Sequence, residues 1–500
     1  MKIKIFIIFI FPFLTACNTN FDYVRINGEE GVGKEISFLS AVIQESKALE
    51  EAGLRLLRED IDSNVPVPSL IIDFFSSWEH EYDYEYITVS KTFFVPIDDP
   101  LSARTDTNLA ACLNGKETLI PVEELDSPYV ALRVDGITIN EDEYPLIRFS
   151  GIKIRSADEK KINKRLEKKL LLMTEEIKNA RNPLIHDCPS PIWLVAGGDV
   201  MLERGATELL LDEGPKGIFG ETAGMIFSAD IALLNLEGVI SRKGKKVPKT
   251  YNFRFIPEVA EALRAAGVDA VLHANNHVFD YGEDAFLDSL SWLEQAEIGV
   301  IGAGKNIEDA SRSFVFSNGK EKIHVYGLAS FPRERNGWDG VTAAAEKDTA
   351  GMLHSGKGGR EKLKERFLSS DADVTNILFF HGGTEWSIHP DASTRELYTD
   401  LINAGADIVI GSHPHVVQGF EWVNGKPVFW SLGNYVFGGM TNFPAGEEGL
   451  FIRLGILNGR LLYLEPFHLV LKNIRTDISP PEKLANFYKR SEELRKQNTY

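Results

Sequence analysis

Three cysteines in 500 residues are too few for a disulfide-stapled scaffold or a cysteine-rich metal module. Positive charge is also scarce. Against 73 Asp and Glu stand 54 Lys and Arg, a formal charge of −19, and no basic stripe interrupts the deficit. This argues against a nucleic-acid partner. The densest basic cluster, KKINKRLEKK at 160–169, has helical spacing and reads as a solvated face. Beyond the first residues no run is long and apolar enough to span a bilayer. A content of 43% hydrophobic and 25% charged residues is that of a globular protein, and the length predicts two domains plus tails.

The chain starts MKIKIFIIFIFPFLTAC, with two lysines, an apolar run from Ile5 to Leu14, then Leu-Thr-Ala-Cys. The run has the form of a secretory leader. Its end resembles a bacterial lipobox, which implies cleavage before Cys17 and acylation of that cysteine. The expected product is extracytoplasmic and lipid-anchored to a bacterial membrane, with residues 1–16 as signal peptide and 17–36 as tether. A signal peptide with an incidental cysteine, or a short anchor, is the alternative. Cys112 and Cys188 have no telling spacing, and their pairing is left open.

Residues 37–156 carry their own pattern of strands and helices and predict a smaller N-terminal α/β domain. SFLSAVIQESKALEEAGLRLLRE is helix-like; PSLIIDFF, TFFVPI, ETLIPV, YVALRVDGI and YPLIRFSGIKI are strand-like. A helix over 160–182 predicts a linker at 157–190. KTFFVPIDDPLSARTDTNL and YVALRVDGITINEDEYPL are similar to a lobe of phosphate-type periplasmic binding proteins. That lobe would bind a ligand or polymer, or act as a spacer.

From Pro191 apolar runs recur, most of them ending in glycine plus a polar residue: PIWLVAGGD, IALLNLEG, AVLHANNH, ILFFHGG, DIVIGSHPH. Amphipathic helices are predicted at 257–267 and 393–405, the second capped by Ser393 or Thr394. Alternating strands and helices predict an α/β domain over 191–475, followed by a polar helix at 476–500. In such sheets polar sites gather beyond the carboxyl ends of the strands. The residues there are Asp199, Asn235, Glu237, Asn275, Asn276, His277, His381, Glu385, His413 and His415. A mixed carboxylate, imidazole and amide set suits Mn, Fe or Zn, and it is large enough for two divalent ions. In HPH, Pro414 is expected to hold His413 extended, so that His413 and His415 project to one side.

GGDVMLERG, ALLNLEG, VDAVLHANNHVFDYGEDA, FFHGGTEW and GSHPHVVQGFEWVNGKPVFWSLGNYVF, in this order, resemble the motifs of the CapA-type poly-γ-glutamate capsule-biosynthesis family. That family looks like a branch of the calcineurin-like metallophosphoesterases. The resemblance implies a four-layer α/β/β/α sandwich with a dinuclear metal site. Asp199 and His415 would bind the first metal, Asn276, His381 and His413 the second, and Glu237 would bridge. His277 would be the general acid. Met201 stands where the wider superfamily has histidine. The implied function is metal-dependent hydrolysis on an anionic, poly-γ-glutamate-like cell-envelope polymer, with membrane synthases as partners. A non-enzymatic assembly or export factor and a general metallophosphoesterase are the alternatives.

Around this set, Arg204, Lys249 and Arg254 are candidates for holding an anionic substrate, or are plain surface charges. Glu385 either orients His381 from behind or supports a loop. Asp280 either orients His277 or caps the next helix. His273 reads as a core group.

Overall fold

A computed structural model of the chain describes residues 189–497 apart from 335–336, 441–442 and 473. Before them it describes 22–27, 41–42, 44–51, 54–56, 70–77, 87–100, 106–113, 116–122, 129–135, 137–139, 146–156 and 164–179, with single residues 104, 125 and 144. The leader, Cys17 and Cys188 lie outside the described residues. Cys112 is buried. Among the described residues no helix is long and apolar enough to cross a membrane. The chain divides into two compact units: 1–96 with 108–124 and 133–189, and 97–107 with 125–132 and 190–500.

The first unit is built on a mixed sheet in the order Leu54–Leu56, Asp22–Asn27, Leu70–Ser77, Ile147–Ser156, Ile87–Asp98, Thr118–Pro121. Asp22–Asn27 falls in the stretch expected to be tether. It pairs in parallel with both neighbours. The helix expected over 37–59 is also shorter, since Leu54–Leu56 is a strand. Lys164–Asn179 is helical, within the expected linker.

The second unit begins with β1 (Ile192–Met201), to which β2 (Ile231–Leu236), β3 (Ala270–Leu272) and β4 (Gly299–Ile301) add in parallel. Helices α1 (Ala206–Phe219), α2 (Glu258–Ala265) and α3 (Glu283–Gln295) make the crossings. A second sheet contains β5 (Phe314–Ser317), β6 (Lys322–Ser330), β7 (Val374–Gly382), β8 (Ile408–Ser412), β9 (Phe420–Val423) and β10 (Lys426–Phe429). Its order is β5-β6-β7-β8-β10-β9. Helix α4 (Gly359–Leu368) joins β6 to β7, and α5 (Ala392–Ala404) joins β7 to β8. The cap of α5 is Asp391, whose carboxylate accepts from the Thr394 N–H at 2.8 Å; the expected caps, Ser393 or Thr394, already lie inside the first turn.

β11 (Asn434–Phe437) returns to the first sheet beside β1. β12 (Glu448–Leu457), β13 (Arg460–Lys472) and β14 (Arg475–Ile478) extend that sheet antiparallel, so the expected C-terminal helical tail opens with a strand. Helix α6 (Ala485–Gln497) buries Phe487 and Leu494.

Side chains alternate across each strand and so feed different cores. Leu194, Leu233 and Leu272 of the first sheet share one core with Val325, Phe379 and Ile410 of the second. Val195, Leu234 and Val271 face the opposite way, onto Leu210, Leu263 and Leu293 of α1 to α3. Leu378 and Val409 face Leu363 and Phe367 of α4 and Leu401 of α5. Strands buried on both faces need near-continuous apolar sequence, which explains runs such as IALLNL and VTNILFF.

Candidate metal centre and cleft

The site begins with the paired glycines of β1. A Cβ on Gly198 would run into the carbonyl oxygen of Gly433, so only glycine lets the two segments approach. The register of β1 slips here, and the Asp199 N–H donates to that same carbonyl at 3.0 Å. Asp199 thereby stands level with Asn235 on β2 and Asn434 on β11. Asn235 Nδ2 donates to Asp199 Oδ1 at 2.7 Å, and Asn275 Nδ2 donates to Asn235 Oδ1 at 3.2 Å. This run of amides fixes the carboxylate. Glu237, one residue past β2, is fixed by its own N–H donating to the Val200 carbonyl at 2.9 Å.

Asp199, Glu237 and His415 are all buried, and one ligand atom from each lies within 4.8 Å of the others. His415 Nδ1 is 2.9 Å from Asn434 Oδ1 and 3.2 Å from Asp199 Oδ2; its Nε2 is 3.6 Å from Glu237 Oε1. Neither carboxylate oxygen of Glu237 has a hydrogen-bond partner. Burial, with Asp199 and Glu385 adding, raises the Glu237 carboxyl well above its ordinary range. Burial opposes charging of His415, yet Glu237 and Asp199 raise it to about 10. Two buried carboxylates with an orphaned oxygen pair are a costly arrangement for a protein alone, and a fitting one for a divalent cation.

Beside this group lies a second. His381 Nε2 is 3.0 Å from Asn276 Oδ1 and 3.0 Å from His413 Nδ1. Burial and the neighbouring imidazoles hold His381 and His413 well below the ordinary histidine range, so both rings are neutral and keep a lone pair. The donor set fits a Mn, Fe or Zn ion.

The HPH segment is not extended. His413 has φ 97° and His415 φ 56°, and the ring centroids are 6.1 Å apart. The chain reverses after β8, so that the His413 N–H points at the Asp199 carboxylate, 3.3 Å from each oxygen. The two histidines accordingly serve different groups: His415 meets Asp199 and Glu237, and His413 meets His381.

His277 stands between them and the solvent side. Its Nδ1 donates to Asp280 Oδ2 at 2.6 Å, and its Nε2 is 3.7 Å from Glu237 Oε1. Asp280 therefore orients His277; α3 is preceded by Gly282 and has no side-chain cap. Burial lowers the His277 pKa, Asp280 raises it, and Lys249 lowers it further. His273 is a buried core group, its Nε2 3.1 Å from Ser289 Oγ.

A cleft of about 600 Å³ opens over Asn276, His277 and His413. Tyr251, Phe331, Arg333, Glu385, Trp386 and Phe443 form much of its wall. Glu385 is exposed on that wall, past the turn at Gly383, and does not sit behind the buried His381. Arg204 and Arg254 are outside the cleft lining. Arg204 donates to the Gly438 carbonyl at 2.5 Å, and Arg254 stacks over Tyr281 at 4.1 Å. Lys249 is buried between Asp280 and Glu334. Arg333, a cation of the cleft lining, and Tyr251, Phe331 and Phe443 come from loops whose sequence carries no periodicity and lie outside the quoted motifs, whereas Trp386 closes FFHGGTEW. Met201 is buried, its sulfur accepting from the Glu203 N–H at 3.2 Å, and offers no histidine-like ligand to the first group.

Comparison with known proteins gives this arrangement a context. PGA biosynthesis protein CapA of Bacillus subtilis (strain 168) is 27% identical over 251 residues, 48% of this chain and 62% of the relative. Capsule biosynthesis protein CapA of Bacillus anthracis is 27% identical over 263 residues, 51% of this chain and 62% of the relative. A probable polyglutamine synthesis accessory protein of Mycobacterium tuberculosis is 25% identical over 332 residues, 57% of this chain and 87% of the relative. The chain thus spans under two thirds of the two CapA proteins. The profile of the bacterial capsule synthesis proteins, PGA_cap, matches residues 193–439, which hold every residue of both buried groups. Through that segment the chain belongs to the CapA-type capsule synthesis family.

Proposed function

We propose that this protein acts in the making of an anionic cell-envelope polymer, as a metal-dependent hydrolase. The carrying observation is the orphaned carboxylate of Glu237 within the buried group of Asp199, Glu237 and His415. In this reading Asp199 and His415 hold one divalent ion, Asn276, His381 and His413 a second, and Glu237 lies between. Such ions would supply the charge that activates water and stabilises the developing anion. The packing of two sheets between helices supports a four-layer α/β/β/α stack of the calcineurin-like metallophosphoesterase type. His277, oriented by Asp280 and open to the cleft, would pass a proton to the leaving group. Its burial works against holding that proton, and Asp280 works for it. Arg333 is the cation placed to meet the anion. A lipid anchor at Cys17 would hold the protein outside the cytoplasm, beside membrane synthases that deliver the polymer. A poly-γ-glutamate-like chain is the polymer suggested by the relatives' names.

Metal analysis of the purified chain tests this reading. Wild type should hold about two equivalents of Mn, Fe or Zn. The His413→Ala/His415→Ala variant should lose most of both. Wild type that stays metal-free after incubation with each ion would sink the hydrolase. Met201 in the place of a ligand favours a second reading, a polymer-binding assembly factor with structural metal. His277→Ala separates the two: a loss of ester hydrolysis with metal retained supports the enzyme, and unchanged polymer output supports the assembly factor.

A further inference from the structure

Asn434 is fully buried and belongs to neither ligand group. Strand β11 sets it level with Asp199 of β1. Two hydrogen bonds decide which end of its amide points where. Nδ2 donates at 2.8 Å to the carbonyl of Gly446, in the turn before β12, and Oδ1 lies 2.9 Å from His415 Nδ1. Turned over, the amide would press its oxygen on the Gly446 carbonyl, two acceptors with no hydrogen between them. The bond to Gly446 therefore keeps Oδ1 on the histidine.

The consequence falls on the imidazole. His415 Nδ1 meets Asn434 Oδ1 at 2.9 Å and Asp199 Oδ2 at 3.2 Å. An amide oxygen and a carboxylate only accept, so Nδ1 keeps its hydrogen and Nε2 is the nitrogen that can offer a lone pair. Nε2 is also the end that faces Glu237 Oε1, at 3.6 Å. Trp386 and Phe437 pack on the ring, with centroids 5.5 and 5.0 Å away, and hinder it from trading ends. His381 is not set in this way. Its Nδ1 meets a pure donor, Asn235 Nδ2 at 3.0 Å, and a hydroxyl, Ser412 Oγ at 3.3 Å, surroundings that suit either tautomer.

We propose that Asn434 is a positioning residue for the ion of Asp199 and His415: it locks the histidine tautomer so that Nε2, beside Glu237, is the ligand atom. A histidine that binds metal through one nitrogen is commonly fixed through the other in this manner. The inference rests on the metal-binding part of the hydrolase reading and needs no hydrolysis.

The test is calorimetric titration of the metal-stripped full chain with Zn2+. The binding step missing from His415→Gln is the one in question. Asn434→Leu should weaken that step about 10–100-fold, the usual cost of removing such a support. Asn434→Asp again offers Nδ1 an acceptor but has no donor for Gly446. It should recover the step while unfolding more easily than wild type, whereas a merely structural role would make affinity follow stability. Histidine-selective 15N NMR of Zn2+-loaded wild type decides the matter even if Asn434→Leu misfolds. His415, identified by its absence from His415→Gln, should carry hydrogen on Nδ1 and zinc on Nε2. Zinc on Nδ1, or an unchanged step in Asn434→Leu, overturns the proposal and leaves the hydrolase standing. Wild type that takes up no ion overturns the hydrolase, and the proposal with it.

Discussion

The Nζ of Lys249 lies 2.9 Å from Oδ1 of Asp280, and both side chains are shut off from water. The same ammonium is 2.9 Å from Glu334 Oε1, donates to the Asn276 carbonyl at 2.5 Å, and sits 4.1 Å from the centre of the Trp338 ring. One cation therefore ties the segment carrying Asn276, His277 and Asp280 to the loop carrying Phe331 and Arg333. A lysine that the sequence left as either a substrate-binding or a plain surface charge is a cross-brace.

Removing that brace leaves buried carboxylates without a counter-charge. Lys249→Met should lower unfolding stability by about 3–5 kcal/mol in urea titration. Adding Asp280→Asn should recover part of the loss, because the stranded charge goes with it. A double variant less stable than Lys249→Met would show that the two residues are not coupled.

Glu237 gives a stability change whose sign depends on metal. Without an ion the buried carboxyl must be kept protonated, at a cost that grows with pH above its unfolded value. Glu237→Gln should therefore raise the stability of chelator-treated protein at pH 8 by about 1–2 kcal/mol. With Mn2+ or Zn2+ added, wild type should gain thermal stability and the variant little. Equal gains in both would mean that the ion does not touch Glu237.

His354 predicts an acid limb that has nothing to do with the two buried ligand groups. Burial lowers its pKa to about 4, and its Nδ1 accepts from the Gly356 N–H at 3.0 Å, so a proton there would face another donor. Between about pH 6.5 and 4 the unfolded chain binds a proton that the folded one refuses. Stability contributed by the neutral ring is thus complete above about 6.5 and falls as pH drops, by about 2–3 kcal/mol in all. Carboxylates titrate in the same window, so the comparison is with His354→Asn, whose stability profile should be flatter. Parallel profiles would remove the assignment.

Gly198→Ala addresses the backbone under Asp199. The added methyl meets the Gly433 carbonyl, and the strands can make room only by parting. A loss of about 3 kcal/mol or more is expected, together with weaker metal binding, since Asp199 moves with the bulge. Near-wild-type stability and metal content would show that the two segments can separate freely.

Much of the site was legible because it sits at strand ends. Asp199, Glu237, Asn276, His277, His381, His413 and His415 each close an apolar run, and buried parallel strands make such runs conspicuous. Position was readable; direction was not. Pro414 suggested an extended HPH, but the pull of Asp199 on the His413 N–H and the reversal after β8 give positive φ at both histidines. Arg204, Arg254 and Lys249 look alike in sequence, yet one packs on aromatic rings, one faces Tyr281, and one is buried. Only contacts between residues far apart in the chain separate them. The cleft wall was the least legible part, because Tyr251, Arg333 and Phe443 lie in loops outside the quoted motifs.

The discontinuous makeup of the second unit has a practical side. Val130 and Ala131 pair with Asp98 and Ile97, Val130 enters the core between the sheets, and Arg460 donates to the Leu125 carbonyl. Leu125 and Leu132 are buried with them. A fragment begun at residue 190 would lack these pieces and show a raw apolar seam to solvent, inviting aggregation. A fragment trimmed to 193–439 would also lose three sheet strands. Anyone expressing the buried ligand groups should keep the chain whole from well before residue 97, and domain swaps between relatives should carry the two stretches along with the body they fill.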